Sequence, residues 1–363
     1  MTDKRFFGLF TSSSTLGNLF PLLIHEVRRT AKMVEQNFYR ELSKLLGAPG
    51  SKILPRIIEI IADEKESKIL LAAFPAATVS ELSDKTRIPQ EEIRTLAEIM
   101  FFKGLLFSSK KEGEPRYYRV KTVPQFHDSS ILWKGATKEF HNLWKEYMEK
   151  EWKEFGKVVE TLLSQPVVRI IPVGATIESK AKVLAFEDVR EIVNKSKSLA
   201  VTPCTCRVID GKCGKPVEIC IQVNRAAEYT VQRGTGRAIT KQEAISLLHQ
   251  AEKEGLVHIA DNRQNIDHVI CNCCRDCCMN WRLPNPHKFV APSRFRALVN
   301  PEECIGCQTC LDRCFFNAIS MEGDDPKARI DPEKCVGCGV CTIPCPIEAI
   351  TLKEVRPPET IPA

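Results

Sequence analysis

Two cysteine runs decide the fold of the C-terminal region: Cys304-Ile-Gly-Cys307-Gln-Thr-Cys310-Leu-Asp-Arg-Cys314 and Cys335-Val-Gly-Cys338-Gly-Val-Cys341-Thr-Ile-Pro-Cys345. Both have the spacing C-x2-C-x2-C-x3-C. Such short loops hold thiolates around one metal centre, whereas they would strain a disulfide. Three thiolates of a run occupy three corners of a [4Fe-4S] cubane, and the fourth cysteine belongs to the other cluster. The runs therefore predict a duplicated domain with two interleaved clusters.

The interleaving assigns four ligands to each cluster. Those of the first cluster are Cys304, Cys307, Cys310 and Cys345, and those of the second are Cys335, Cys338, Cys341 and Cys314. Gly306, Gly337 and Gly339 let the backbone approach the clusters, because glycine has no Cβ. Structural zinc and disulfides are the alternatives, and they are disfavoured because zinc sites rarely use eight cysteines in interlocked runs.

The segment from Val299 to Leu352 resembles the bacterial-type two-[4Fe-4S] ferredoxin family. The internal repeat extends beyond the cysteines, since Asn317-Ala318-Ile319 in the first half matches Glu348-Ala349-Ile350 in the second. The family's proline after the fourth cysteine is present as Pro346, but Phe315 takes its place in the first half. The resemblance implies electron transfer through two clusters.

Nine of the 17 cysteines precede these runs: Cys204, Cys206, Cys213, Cys220, Cys271, Cys273, Cys274, Cys277 and Cys278. They predict one or two further [4Fe-4S] clusters, with two arrangements open. Either Cys271, Cys274 and Cys277, which repeat the C-x2-C-x2-C spacing, take a fourth ligand from the earlier group, or each group closes its own cluster. Arg207 and Arg275 either offset the thiolate charge or are solvent-exposed.

Residues 160–355 resemble, at family level, the cysteine-rich region of 4Fe-4S dicluster proteins from strict anaerobes. The likeness is carried by Pro203-Cys204-Thr-Cys206-Arg207, Arg233-Gly-Thr-Gly236-Arg237, Gly255-Leu-Val-His258 and Cys271-Asn-Cys273-Cys274. Members often carry a helix-turn-helix-like N-terminus, which Phe126-His127-Asp128 and the stretch before it also suggest. The resemblance implies an extra metal centre and an electron-transfer role, without a substrate.

Two weaker signals lie between the cysteine groups. Arg233, Gly234, Gly236 and Arg237 form a loop that could bind a phosphate or a flavin, because glycine N–H groups beside arginines make an anion nest. We favour the interpretation that this loop only leads into the next helix, since Thr240 begins a capping pattern. His249, His258 and His268 are candidate ligands or proton carriers, although lone histidines are more often packed or exposed.

Residues 51–123 have the order of a winged helix: helix, turn, helix and hairpin. A DNA-binding helix would present its first turn to phosphates, but Gln90, Glu91 and Glu92 precede the first cation, Arg94. From Ser51 to Thr122 there are 13 cations and 11 anions. The pattern favours a protein-docking or dimerisation platform over DNA binding, although Lys110, Lys111 and Arg116 in the wing keep that alternative open.

The sequence predicts an α+β, multidomain protein. Its parts are a helical segment (1–50), a winged-helix-like domain (51–123), an aromatic-rich helical linker (124–165), a cysteine-rich metal-binding domain (166–298) and a two-cluster ferredoxin domain (299–363). Hydrophobic residues make up 43% and charged residues 27% of the chain, and the net charge is +6. We expect no membrane span and no export signal, and we place the protein in the cytoplasm of an anaerobic or microaerobic organism.

The function expected from these features is electron transfer to a redox protein partner, with homodimerisation through the N-terminal region as a further expectation. The alternatives are an oxidoreductase with a substrate site at the upstream cluster and, less favoured, a redox-sensing transcription regulator. The sequence contains no Walker loop, dinucleotide fingerprint or hydrolase triad. No catalytic residue is therefore assigned, and a flavin has no support beyond the glycine loop.

Overall fold

The computed structural model describes residues 37–109, 113–173, 184 and 187–363. It contains helices and sheets in several layers. Most of the predicted segment 1–50 and the wing residues Lys110 and Lys111 lie outside the described residues.

The N-terminal part is helical and ends in a small hairpin. It comprises α1 (residues 37–45), α2 (Leu54–Ile61), α3 (Glu64–Ala72), α4 (Val79–Thr86), α5 (Gln90–Lys103), β1 (Leu106–Ser108) and β2 (Tyr117–Arg119). Asp63 and Thr78 begin α3 and α4 with complete capping boxes, which satisfy the free N–H groups of the first turns. The strands β1 and β2 pair antiparallel.

Three aromatic-rich helices follow: α6 (Val123–Ser130), α7 (Lys138–Lys150) and α8 (Trp152–Leu162). Trp144, Tyr147 and Trp152 are fully buried in one core with the apolar residues of α2 to α5. The stretch predicted as a linker therefore packs into the N-terminal part. Trp152 also donates from its indole nitrogen to the carbonyl oxygen of Met279 at 2.9 Å, which joins this part to the cysteine-rich region.

A seven-stranded sheet forms the centre of the chain, in the order β6-β4-β5-β8-β7-β3-β9. The strands are β3 (Val168–Ile171), β4 (Leu199–Pro203), β5 (Glu218–Val223), β6 (Arg237–Ala238), β7 (Val257–Asp261), β8 (Val269–Cys273) and β9 (Val290–Ala291). All neighbours pair antiparallel except β3 and β9. The accompanying helices are α9 (Val189–Lys195), α10 (Thr205–Asp210), α11 (Asn224–Arg233) and α12 (Lys241–Lys253).

The two faces of this sheet have different neighbours because successive side chains of a strand point to opposite sides. Ile221 and Ile270 share a core with apolar residues of α9 and α12. Ile259 and Cys273 belong to another core, which includes Val336 and Val340 of the C-terminal region. The thiols of β5 and β8 are therefore directed away from α9 and α12.

The C-terminal region has two strand pairs and one short helix. β10 (Phe295–Val299) pairs with β13 (Ile350–Glu354), β11 (Ile319–Glu322) pairs with β12 (Lys327–Ile330), and α13 (Thr309–Arg313) lies between. Arg294, just before β10, is fully buried and binds Glu187 and Glu354, which ties this region to the residues before α9. None of the helices in the described ranges has both the length and the apolar character needed to cross a membrane.

Candidate metal centres

Two cavities in the C-terminal region each gather four cysteines. The first, of about 320 Å³ including space open to solvent, is lined by Cys304, Cys307, Cys310 and Cys345. The second, of about 340 Å³ by the same measure, is lined by Cys314, Cys335, Cys338 and Cys341. Each cavity thus takes three thiols from one run and the fourth from the other. Four converging thiols are the donor set that a [4Fe-4S] cluster requires.

Glycines shape the loops around both cavities. Gly306 and Gly337 have φ angles of 67° and 68°, in the left-handed region that favours glycine. A Cβ on Gly337 would collide with the carbonyl oxygen of Phe295, and one on Gly306 would lie 2.5 Å from that of Pro326. The left-handed φ angle and the neighbouring carbonyl oxygen therefore both favour glycine at these two positions.

The two cavities differ in depth. At the first, Cys307 is exposed, and Ile305 and Ile347 present 61% and 37% of their surface to solvent. At the second, none of the four cysteines is exposed, and the carbonyl oxygen of Cys338 accepts a hydrogen bond from Val173 N at 2.9 Å, just beyond β3. The first site is near the surface, and the second faces the central sheet.

Six of the nine upstream cysteines form what we call the six-thiol group: Cys204, Cys206, Cys220, Cys271, Cys273 and Cys278. Cys220 on β5 and Cys271 on β8 lie one residue beyond the paired Ile221 and Ile270, so they are cross-strand neighbours. Cys273 shares a face of β8 with Cys271, because alternate residues of a strand point the same way. The remaining members come from the start of α10 and from the turn after β8.

The thiols of this group contact one another in a closed ring. The order is Cys204, Cys206, Cys278, Cys273, Cys271, Cys220 and back to Cys204. Hydrogen bonds accepted from their neighbours lower the pKa of Cys204 and Cys278, and that of Cys271 to about 6. Hydrogen bonds donated to their neighbours raise the pKa of Cys206, Cys220 and Cys273. The direction of the pKa shift therefore alternates from one cysteine to the next around the ring.

The other three cysteines, which we call the thiol triad, are Cys213, Cys274 and Cys277. Their sulfur atoms all lie within 4.8 Å of one another. Cys274 and Cys277 are buried, and Cys213 is half-buried. The structure thus separates Cys271 from the two cysteines with which it shares C-x2-C-x2-C spacing, because β8 ends at Cys273 and the chain turns there. Both thiol sets also mix the earlier and later cysteine groups.

Arg207 lies between these two sets and is buried. It donates to the carbonyl oxygens of Pro216 at 3.0 Å and Asn272 at 2.7 Å. Burial opposes its charge, but the nearby side chains of Cys204, Cys274 and Cys220 and a hydrogen bond to Cys213 raise its pKa. The charge-offsetting role considered for Arg207 therefore has a geometric basis. Arg275, by contrast, is exposed.

Of the three candidate histidines, His258 alone is buried. Its Nδ1 lies 2.6 Å from Oδ1 of Asn272, and the Asn272 amide nitrogen donates to the carbonyl oxygen of Ile219. Asn272 stands between Cys271 and Cys273, so His258 orients the strand that carries two thiols. Sequence reasoning missed Asn272, although its place between two cysteines of one strand was a signal.

Both arginines of the glycine loop have partners within the protein. Arg233 is buried and donates to the carbonyl oxygens of Phe102 and Ser129. Arg237 is paired with Glu218 and Glu243. Thr240 caps α12 by accepting from Glu243 N at 3.1 Å, as the helix-entry interpretation expects. Both guanidinium groups of the loop therefore already have partners within the protein, which disfavours a phosphate or flavin site there.

An aromatic contact joins the six-thiol group to the second C-terminal cavity. Trp281, three residues after Cys278, packs against Phe315 and Phe316, with ring centroids 5.7 and 5.1 Å away. The same apolar core contains Cys271, Cys273 and Cys278 from upstream and Cys338 from the C-terminal cavity. The indole nitrogen of Trp281 is buried without a hydrogen-bond partner among the described residues, so it is free to donate to a sulfur atom.

Two cavities with four cysteines each are the features of a domain that binds two iron–sulfur clusters. Residues 297–352 match the family model of the 4Fe-4S dicluster domain. The match supports iron–sulfur clusters near the C-terminus and covers a small part of the chain. No curated protein and no solved structure was found to match the chain.

Proposed function

We propose that this chain is an electron-transfer protein with three iron–sulfur centres. Two are [4Fe-4S] clusters bound by the cysteines of the two C-terminal cavities, and the third is bound by the six-thiol group. The observation that carries the proposal is the apolar core shared by Cys271, Cys273, Cys278 and Cys338. Centres at those thiols would be separated by packed side chains, which is the arrangement an internal relay needs.

The differing depth of the cavities gives the relay an order. A redox protein partner would dock where Cys307 is exposed beside the apolar side chains of Ile305 and Ile347. Electrons would pass from the first cluster to the second, and from there past Phe315 and Trp281 to the six-thiol group. Phe315 would thus have a role at the position where the ferredoxin family has proline.

The six-thiol group suits a centre larger than one cubane. A cubane takes four thiolates, and this ring offers six. Among the residues that the structure describes, no three of the six have sulfur atoms all within 4.8 Å of one another. Sulfur atoms spaced in this way suit a cluster, in which different irons take different cysteines, more than they suit a single metal ion.

We assign a docking role to the winged-helix-like N-terminal part. The carbonyl oxygen of Ser108, in β1, accepts hydrogen bonds from Arg225 at 2.6 Å and Tyr229 at 2.9 Å, so the hairpin is packed on α11. Arg116 of the wing is bound to Glu81 and to the carbonyl oxygen of Ala76. These partners reduce the cationic surface available to phosphates, and DNA binding remains the minority interpretation.

An oxidoreductase is the second candidate, favoured by polar groups beside the six-thiol group. The Thr205 hydroxyl donates to the Asp128 carboxylate at 2.9 Å, and Asp128 is 57% exposed. Its charge is close enough to influence Cys271, which is partly exposed. A substrate could reach the centre on this side, with Asp128 positioned to bind its polar groups.

The test is an iron and sulfide count with electron paramagnetic resonance on the full-length protein, prepared anaerobically. We expect more than about eight irons per chain, because two cubanes account for eight. In the variant Cys335→Ser, we expect loss of the second cluster's signal and slower reduction of the upstream centre by an external donor. The variant Asp324→Ser, at an exposed turn residue, is the control and should transfer electrons at the wild-type rate.

Two outcomes would contradict the proposal. Wild-type protein with about eight irons would reduce it to a two-cluster ferredoxin joined to a docking part. An upstream centre that is reduced equally fast in wild type and Cys335→Ser would show that electrons do not pass through the second cluster.

A further inference from the structure

The thiol triad differs in its geometry from every other cysteine site in the described residues. We propose that Cys213, Cys274 and Cys277 bind a single divalent metal ion of the zinc type, separate from any iron–sulfur cluster. The inference does not depend on the relay, because it concerns three cysteines that the relay does not use.

The spacing of the sulfur atoms carries this inference. In a tetrahedral zinc site with Zn–S bonds of about 2.3 Å, neighbouring sulfurs are about 3.8 Å apart. The triad meets that requirement, since its sulfurs all lie within 4.8 Å of one another. A cubane spreads its ligands more widely, because each cysteine binds a different iron.

The C-terminal cavities allow the thiol triad to be compared with cluster sites in the same chain. The cysteines of the C-terminal cavities converge on sites that fit cubanes. Among the described residues, however, the triad is the one set of three or more potential ligands that is this compact. The triad therefore fits one ion, whereas the wider sets fit clusters.

The surroundings of the triad agree with a bound cation. Cys274 and Cys277 are packed with Ile219, Ala251 and Leu256, an apolar environment in which uncompensated thiolates would be costly. A divalent ion would neutralise two of the three thiolate charges, and the adjacent Arg207 offsets the third. Zinc is preferred on chemical grounds, because three thiolates are soft ligands.

The proposed ion would hold together two segments that also carry the six-thiol group. Cys213 follows α10, which begins beside Cys204 and Cys206, while Cys274 and Cys277 lie between Cys273 and Cys278. Arg207 already joins the same segments through Pro216 and Asn272. Three protein ligands leave the fourth position to solvent, on the side of the half-buried Cys213.

The experiment measures zinc and iron together in the full-length protein after anaerobic preparation. We expect one zinc ion per chain in wild type, and its loss in Cys274→Ser/Cys277→Ser with iron content unchanged. The matched control, Cys271→Ser/Cys273→Ser, should lose iron and keep zinc. Because a serine variant can misfold, wild-type protein is also stripped of metal and titrated with Co²⁺. A thiolate-to-cobalt absorption band should saturate first at one equivalent and give the spectrum of a tetrahedral site.

Three results would overturn the inference. Loss of about four irons in Cys274→Ser/Cys277→Ser would place the triad in a cluster. Wild-type protein with no zinc, and with no tight cobalt site after stripping, would show that the triad binds no single ion. Zinc that persists in the folded triad variant would place the ion elsewhere. None of these results would test the C-terminal relay.

Discussion

In the C-terminal region, each cavity takes three of its four cysteines from one loop, whereas the six-thiol group draws on a helix start, two strands and a turn. The loop sites are encoded by short spacing and by glycines such as Gly337. The upstream site is encoded by the pairing of β5 with β8, which places Cys220 beside Cys271. The loop sites depend on two short cysteine runs, while the upstream site depends on the pairing of strands within a sheet.

The two kinds of site should also differ in how substitutions around them affect folding. A loop site is open to solvent along part of its wall, and Cys307 is exposed. The upstream thiols are enclosed by the sheet, by α10 and by buried polar side chains such as Arg207, Asn272 and His258. Substitutions around the upstream site should therefore affect folding and metal binding together, and those around the first cavity mainly metal binding.

The largest expected effect comes from removing two ligands that the sheet brings together. In Cys220→Ser/Cys271→Ser we expect the upstream iron to be lost and about eight irons to remain. The control, Cys213→Ser/Cys277→Ser, removes two upstream thiols outside the ring and should leave iron unchanged. Equal iron loss in both variants would mean that the nine upstream cysteines act as one set.

The next effect concerns the junction of the two regions. Arg294→Met would leave Glu187 buried without its partner, and we expect a loss of about 3–5 kcal/mol in the free energy of unfolding. The control, Arg329→Met, breaks an exposed pair with Glu322 and should cost at most about 1 kcal/mol. Denaturant titration under anaerobic conditions measures both. Similar losses in the two variants would contradict a supporting role for the buried pair.

A smaller effect is expected behind the thiol-bearing strand. His258→Phe would leave Oδ1 of the buried Asn272 without its hydrogen-bond partner, and we expect a loss of about 1–3 kcal/mol in the free energy of unfolding. The resonance of the upstream centre should shift while those of the C-terminal clusters stay unchanged. His268→Phe is the matched control at an exposed histidine and should change neither. A shift in all signals would argue against a local effect.

The smallest effect on stability is expected at the aromatic contact. Phe315→Pro restores the ferredoxin family's residue and removes the packing on Trp281, which should cost about 0.5–1.5 kcal/mol beyond the lost apolar burial. Reduction of the upstream centre should slow, whereas Pro346→Ala, at the equivalent place in the other half, should leave that rate unchanged. Stopped-flow reduction distinguishes the two.

The sequence could predict which C-terminal cysteines line the same cavity, because all the necessary information lies in short loops and a visible repeat. It could not predict how the nine upstream cysteines divide between the six-thiol group and the thiol triad. That division depends on the register in which β5 pairs with β8, two strands that lie far apart in the sequence. The C-x2-C-x2-C pattern of Cys271, Cys274 and Cys277 was misleading for this reason. A spacing rule assumes one continuous loop, and here the end of a strand interrupts it.

The partners of two buried arginines also could not be predicted from the sequence. Arg233 and Arg207 both stand beside motifs that suggest an anion, yet one binds backbone carbonyl oxygens of the N-terminal part and the other lies against thiolates. Their partners come from distant positions in the chain. Only the packed structure distinguishes an arginine that supports the fold from one that balances a metal site.

The spread of the six-thiol group over a helix start, two strands and a turn has a consequence for how the protein matures. Cys220 and Cys271 come together only when β5 pairs with β8, so the sheet must form before a cluster can be inserted. Insertion then removes the remaining protons from the thiols, so the delivery of the cofactor is coupled to proton release.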